Sequence, residues 1–130
     1  MKRALVTLII VTFAVFASTA AAETTDAHGN TPLMAAAATG DTATVQQLID
    51  KGVEVNAQGR IGNTALIYAA QEGHSRVVEL LVEAGAEIET HNDFNATAYK
   101  LAEGYGYSEI TATLEHATLQ AAATPDNDRI

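Results

Sequence analysis

The side chains that could do chemistry in this chain do not form a pattern typical of a catalytic site. After residue 22 the only serines are Ser75 and Ser108. Both stand where helices are predicted to begin, so N-capping explains them. No H-E-x-x-H, G-x-S-x-G or phosphate-binding glycine loop occurs. The sequence therefore predicts a protein that is not an enzyme and has no catalytic residues.

The four histidines are the remaining candidates for ligation. His28 and His91 fall in predicted loops, and His91 with Asp93 offers two ligand atoms of suitable type. A structural or catalytic zinc site takes three or four protein ligands, and no third residue stands at a recognisable spacing. The many carboxylates are scattered as they are on solvated faces. We therefore predict neither a metal nor a cofactor.

The elements that would position these side chains repeat along the chain. Threonines recur at a constant interval, at Thr31, Thr64 and Thr97, and glycines recur at the same interval, at Gly40, Gly73 and Gly106. A fixed period of this size is typical of stacked structural repeats.

The middle copy shows what each repeat contains. Thr64 can N-cap a short helix, which Gly73 ends by taking a left-handed conformation. A second helix follows until Gly85, with Leu81 on its apolar stripe. So short a helix pair cannot bury its apolar faces alone and must stack on its neighbours. The predicted fold class is an all-α repeat solenoid with Leu81 at its centre.

These residues resemble the ankyrin repeat, whose pattern runs roughly D-x-x-G-x-T-P-L-H-x-A-A-x-x-G-H-x-x-V-V-x-L-L-L-x-x-G-A. The first copy has Thr31-Pro32-Leu33, and Pro32 falls at the first helical position, where its missing N–H costs nothing. The second copy has Gly73-His74, whose histidine is structural in the family. The resemblance implies three helix-turn-helix pairs with finger loops, at about residues 26–57, 59–90 and 92–117.

The chain also departs from the pattern. In the third copy Tyr99 replaces the usual leucine and Asn95 replaces a glycine. The histidine that normally follows T-P-L is absent, because its positions hold Met34, Ile67 and Lys100. The cross-repeat hydrogen bonding of that histidine must therefore be absent or replaced.

The ends of the chain have their own patterns. The stripe of the last helix continues past the third repeat, which predicts a C-terminal capping helix to about residue 123. Pro125 is the expected stop, which gives a domain of residues 23–125, and residues 126–130 are expected to fray.

Residues 1–22 have the pattern of a cleaved Sec-type signal peptide. Lys2 and Arg3 precede an apolar run from Ala4 to Ala17, and small residues follow. That run is short of the roughly 20 residues needed for a membrane anchor. Cleavage after Ala22 is favoured over cleavage after Ala20. The pattern predicts a secreted protein, located in a bacterial periplasm.

Charge limits the partners of the mature chain. Loss of Lys2 and Arg3 leaves five of the seven basic residues against 16 acidic ones, a net charge of −11. Nucleic acid and anionic membrane surfaces are unlikely partners, since both are bound through Lys and Arg. The chain has no cysteine, so stacking alone must stabilise the fold. We expect a monomer whose partner is another protein.

The resemblance also implies where a partner would bind, because ankyrin proteins bind through the finger loops and the exposed side of each first helix. Carried over by position, the candidate residues are His28, Asn30, Thr39, Gln58, Arg60, Ile61, Asn63, Gln71, Glu72, His91, Asp93, Phe94 and Tyr105. Large apolar residues and arginine are typical interface anchors, which favours Arg60, Ile61, Phe94 and Tyr105. The alternative is that Ile61 and Phe94 pack locally beneath the fingers.

These observations predict a non-catalytic protein-protein interaction module. One alternative is an inhibitor or immunity protein that blocks a periplasmic enzyme. Another is a small enzyme, or an accessory factor related to metal, haem or redox enzymes, in the same compartment.

Overall fold

The computed structural model describes the backbone of residues 25–127 and the side chains of residues 25–122. This part of the chain contains six helices, α1 (Pro32–Thr39), α2 (Thr42–Asp50), α3 (Ala65–Glu72), α4 (Ser75–Glu83), α5 (Ala98–Tyr105) and α6 (Ser108–Asn127). They form three helix-turn-helix pairs, and the only β-type pairing among the described residues is an isolated bridge between His91 and Thr97. The predicted signal peptide and its cleavage sites lie outside the described residues.

The first helix of each pair begins and ends as the sequence predicts. Thr31, Thr64 and Thr97 have extended backbone, and each side chain accepts a hydrogen bond from a backbone N–H in the first turn. Pro32 lies at the start of α1. The three C-caps are left-handed glycines, with φ between 76° and 79°, at Gly40, Gly73 and Gly106.

The second helices begin differently from the prediction. Ser75 and Ser108 are the first residues within α4 and α6, so the assignment of these serines as N-caps is wrong. The N-cap of α4 is His74, whose side chain makes no capping bond. Its ring donates instead from Nε2 to the carbonyl of Ala38 in the preceding repeat, over 3.1 Å.

This bond supplies a cross-repeat contact in a chain that lacks the histidine after T-P-L. Met34, at one of those positions, is buried, and its sulfur accepts a hydrogen bond from the N–H of Thr31. The ring of His74 lies so close to Gly40 that a Cβ there would meet Nδ1 at 2.7 Å. Gly40 is therefore required by the approach of the next repeat as well as by its positive φ.

The core lies between the helix layers and runs through all three repeats. α3 packs between α1 and α5, and α4 packs between α2 and α6. Leu81 on α4 is fully buried. The other large side chains that are almost fully buried are Leu33, Met34, Leu66, Ile67, Ile110, Leu114, Val45, Val77 and Val78.

The last helix is longer than predicted. Thr118 stands where the first two repeats have Gly52 and Gly85, which follow α2 and α4 with positive φ. Thr118 keeps the helical conformation, and α6 continues through Pro125 to Asn127. α6 thus runs a few residues past the expected end near residue 123, and Pro125, the expected stop, lies within it.

Candidate functional site

Three turns of the same backbone geometry form the tips of the finger loops. We define finger 1 as residues 25–30, finger 2 as residues 53–63 and finger 3 as residues 86–96. In each tip one N–H donates to the carbonyl four residues later, over 2.9 to 3.0 Å, from Asp26 to Asn30, Gly59 to Asn63 and Asn92 to Ala96. The fourth residue of each turn has positive φ, at Gly29 (76°), Gly62 (77°) and Asn95 (58°). Asparagine tolerates this conformation better than most residues, which explains Asn95.

Carboxylate and amide side chains close the outer two turns. Asp26 Oδ1 accepts from the N–H groups of His28 and Asn30 at 2.8 and 3.0 Å. The N–H of Asn30 in particular holds the pKa of Asp26 below its usual 3.8. Asn92 makes the equivalent pair of bonds in finger 3, to the N–H groups of Phe94 and Ala96.

Finger 2 is tied to finger 3 by hydrogen bonds. The N–H of Asp93 donates to the carbonyl of Ile61 over 3.0 Å. Asn92 donates from Nδ2 to Asn63 Oδ1 over 2.8 Å. Gln58 reaches the carbonyl of Gly62 in its own finger at 2.9 Å and that of His91 in finger 3 at 3.4 Å.

Finger 1 lies beside finger 2 and is held by contacts of its own. Tyr68 on α3 donates to Asn30 Oδ1 over 3.1 Å. A Cβ on Gly29 would lie 3.6 Å from the nitrogen of Arg60. Fingers 1, 2 and 3 therefore form one continuous edge of the molecule.

Residues in equal register along this edge come from successive repeats. His28, Ile61 and Phe94 are separated by the same interval as the capping threonines, and so are Thr39, Glu72 and Tyr105. We call the first three residues the tip row. All six are exposed, and so are Gln58, Arg60, His91 and Asp93, whereas Asn30 and Gln71 are half-buried.

Asn63 does not fit the predicted surface. Its relative exposure is 3%. Its side chain is held by Asn92, which stands 29 residues further along the chain. The expectation that Asn63 is exposed to a partner is wrong, because it bonds finger 2 to finger 3.

The large anchor candidates are exposed. The relative exposure is 41% for Ile61, 74% for Phe94 and 59% for Tyr105. The alternative in which Ile61 and Phe94 pack beneath the fingers is therefore wrong. The ring of Tyr105 stacks on Tyr107, with 5.9 Å between centroids, which orders an exposed aromatic side chain.

The structure also shows residues that sequence reasoning missed. Tyr68 buttresses finger 1 through Asn30, and Tyr99 donates to Glu115 on α6 over 2.8 Å. Leu119 is 69% exposed although it lies on the capping helix. A signal for Leu119 was present, since the predicted apolar stripe of that helix, at Ile110, Leu114, Ala117 and Ala121, does not include it.

Side chains that could ligate a metal ion are scattered in the described part of the chain. Residues 25–127 contain no group of three or more His, Cys, Asp or Glu side chains placed to hold a metal ion. His91 and Asp93 are both exposed. None of the helices within these residues is long and apolar enough to cross a membrane.

The fold and this edge define an all-helical solenoid of three stacked helix-turn-helix repeats with finger loops. The family described as ankyrin repeats, in three copies, matches residues 4–92, which is more than half of the chain. The chain belongs to the ankyrin-repeat family. Ankyrin repeats are protein-protein interaction modules and are typically non-catalytic. No curated protein matches the chain.

Proposed function

We propose that this chain is exported to the periplasm and binds a partner protein through its finger loops and first-helix surface. The observation that carries the proposed binding is the exposure of Ile61 and Phe94 in equal register on adjacent, hydrogen-bonded fingers. Exposed apolar side chains on a rigid scaffold are typical of recognition surfaces. Arg60 and Tyr105 add two of the residue types that are enriched among interface anchors.

Rigidity of the fingers supports this role. The bonds from Asp93 to Ile61 and from Asn92 to Asn63 fix fingers 2 and 3 before any partner arrives. A preformed surface loses less conformational entropy on binding than a mobile one does. A partner can therefore bind the tip row without a folding step in the fingers.

The proposed location rests on the sequence. The basic start, the apolar run from Ala4 to Ala17 and the small residues that follow favour export. Cell fractionation with N-terminal sequencing of the product tests this. We expect a mature chain that begins at Glu23 in the periplasmic fraction, and a full-length chain in the inner membrane would overturn it.

The binding surface is tested with the double variant Phe94→Ala and Arg60→Ala. Partners are first identified by capture from periplasmic extract and then measured one at a time by calorimetry. Loss of two anchors should weaken binding by about 2 kcal/mol or more for each anchor. The melting temperature should change by only a few degrees, since both side chains are exposed.

The matched control is Glu79→Ala on α4, away from the fingers. Glu79 pairs with Arg76 on its own helix. Its replacement should leave the affinity for the partner unchanged. A double variant that binds normally, or one that unfolds, would contradict the assignment of Phe94 and Arg60 as anchors.

A further inference from the structure

A second surface lies at the C-terminal end of the stack. A groove with a volume of about 370 Å³ runs between finger 3, the start of α5 and the capping helix α6. None of the candidate residues carried over from the ankyrin pattern lines it. Its lining residues are Ile88, Glu89, Tyr99, Glu115, Thr118 and Leu119. We call it the terminal groove.

The groove exists because the third repeat has no first helix beyond it in the described part of the chain. α3 packs between α1 and α5, whereas α5 packs on α3 and α6. Tyr99 stands at the register of Leu33 and Leu66, which are both buried, yet Tyr99 is only half-buried. The aromatic surface of Tyr99 is therefore available at the groove.

α6 supplies the other wall. Because the helix continues at Thr118, where the earlier repeats have a glycine, Leu119 also lies on α6 and lines the groove. Leu119 is 69% exposed, and Ile88 on finger 3 is half-buried. An isolated exposed leucine needs no explanation, but Leu119, Ile88 and Tyr99 line one concave surface together.

The rim of the groove is acidic. Glu89 and Glu115 are both exposed, and no Lys or Arg lines the groove among the described residues. Tyr99 donates its hydroxyl to Glu115 Oε1 over 2.8 Å, which fixes one carboxylate beside the apolar floor. That bond raises the pKa of Tyr99, because a hydroxyl that donates to a carboxylate is harder to deprotonate.

Charge decides between the possible occupants. A second copy of this chain would bring the same two carboxylates and a predicted net charge of −11, so like charges would oppose docking. A partner segment that carries Lys or Arg beside an aliphatic side chain would neutralise the rim and cover Leu119. The family to which the chain belongs binds proteins, which favours a protein segment as the occupant.

We propose that the terminal groove is a second docking site, distinct from the fingers, for a basic amphipathic segment of a partner protein. An aliphatic side chain of that segment packs between Leu119, Ile88 and Tyr99. Its flanking Lys or Arg pairs with Glu89 and Glu115. The groove thereby takes the place that a further repeat would occupy in a longer solenoid.

The test uses the mature protein and a fluorescein-labelled amphipathic peptide in which leucines recur three and four residues apart among lysines. Binding is followed by fluorescence anisotropy. The variant Glu89→Gln with Glu115→Gln should weaken binding about tenfold or more, which corresponds to about 1.4 kcal/mol. Leu119→Ala should also weaken binding several-fold while leaving the melting temperature unchanged, since this side chain is exposed.

The matched control removes two carboxylates elsewhere, in the variant Glu79→Gln with Glu83→Gln on α4. Equal weakening by both charge variants would show that binding follows net charge alone and would overturn the proposal. An oligolysine peptide that binds as tightly as the amphipathic one would overturn it too. Unchanged peptide binding by Phe94→Ala is expected, and a large loss in that variant would place the peptide on the fingers instead.

Discussion

At the residue scale, equal register in the repeats produces equal backbone geometry with different side chains. Gly29, Gly62 and Asn95 share positive φ, and Asp26 and Asn92 share the bonds that close a turn. The middle repeat has Gly59 at that register and closes its turn without this side chain. The side chains that project from these turns differ in type, so the tip row consists of a histidine, an isoleucine and a phenylalanine.

Substitution of Gly62 by alanine should destabilise the fold more than substitution of Gly52. Both glycines have positive φ, at 77° and 80°, so each alanine costs about 1 to 2 kcal/mol for the left-handed conformation. A Cβ on Gly62 would also meet Asn92 Cα at 3.1 Å and Asp93 Oδ1 at 3.0 Å, whereas nothing lies within 4 Å at Gly52. Urea unfolding midpoints compare the two, and equal midpoints would show that finger 2 is not held against finger 3.

A pH dependence is expected from Asp26. Its pKa is lowered in the folded protein by the N–H of Asn30, so its stabilising contribution is present above the unfolded pKa and is lost as pH falls through the folded value. Asp26→Asn should preserve the turn, as Asn92 does in finger 3, while removing that titration. As the pH is lowered below about 4, the melting temperature should therefore fall less steeply in the variant than in the wild type. Parallel curves for the two proteins would contradict this role.

At the element scale, the first helices follow the sequence closely, whereas α4 and α6, the second helices of the last two repeats, do not. The threonine caps and glycine stops act within a few residues, so local sequence suffices to predict them. The start of α4 depends on contact with the preceding repeat, because His74 bonds to Ala38. Thr118 stands where the earlier repeats have a glycine and keeps α6 helical, and α6 then runs past the expected stop at Pro125.

Replacement of Thr118 by glycine should shorten α6. Glycine costs about 1 kcal/mol relative to alanine inside a helix, and Thr118 also donates to the carbonyl of Leu114 over 2.9 Å. Thr118→Ala is the matched control, since it removes the hydroxyl but favours the helix. Amide exchange after residue 118 should be faster in the glycine variant and slower in the alanine variant. Identical exchange in both would mean that helix propensity at this position does not set the length of α6.

At the scale of the whole molecule, the fixed period of the threonines and glycines predicts the solenoid, whereas the candidate surface positions came from the resemblance to ankyrin repeats. The exposure of Ile61 and Phe94 could not be decided from the sequence, because it depends on hydrogen bonds between fingers. The burial of Asn63 was missed for the same reason, since Asn92 is distant in sequence. Contacts between repeats, rather than local propensity, therefore decide which finger residues are buried in the edge and which are exposed to a partner.

Stability should depend most on the middle repeat. Leu81 is fully buried on α4, which packs between α2 and α6, so its truncation leaves a cavity in contact with both neighbouring repeats. Leu81→Ala should cost about 2 to 5 kcal/mol of unfolding free energy, which is a large part of the stability of a small domain. Leu119→Ala removes the same atoms from a side chain that is 69% exposed and should change stability by no more than about 0.5 kcal/mol. Urea unfolding at pH 7 measures both variants, and an unchanged midpoint in Leu81→Ala would contradict a core that runs continuously through the three repeats.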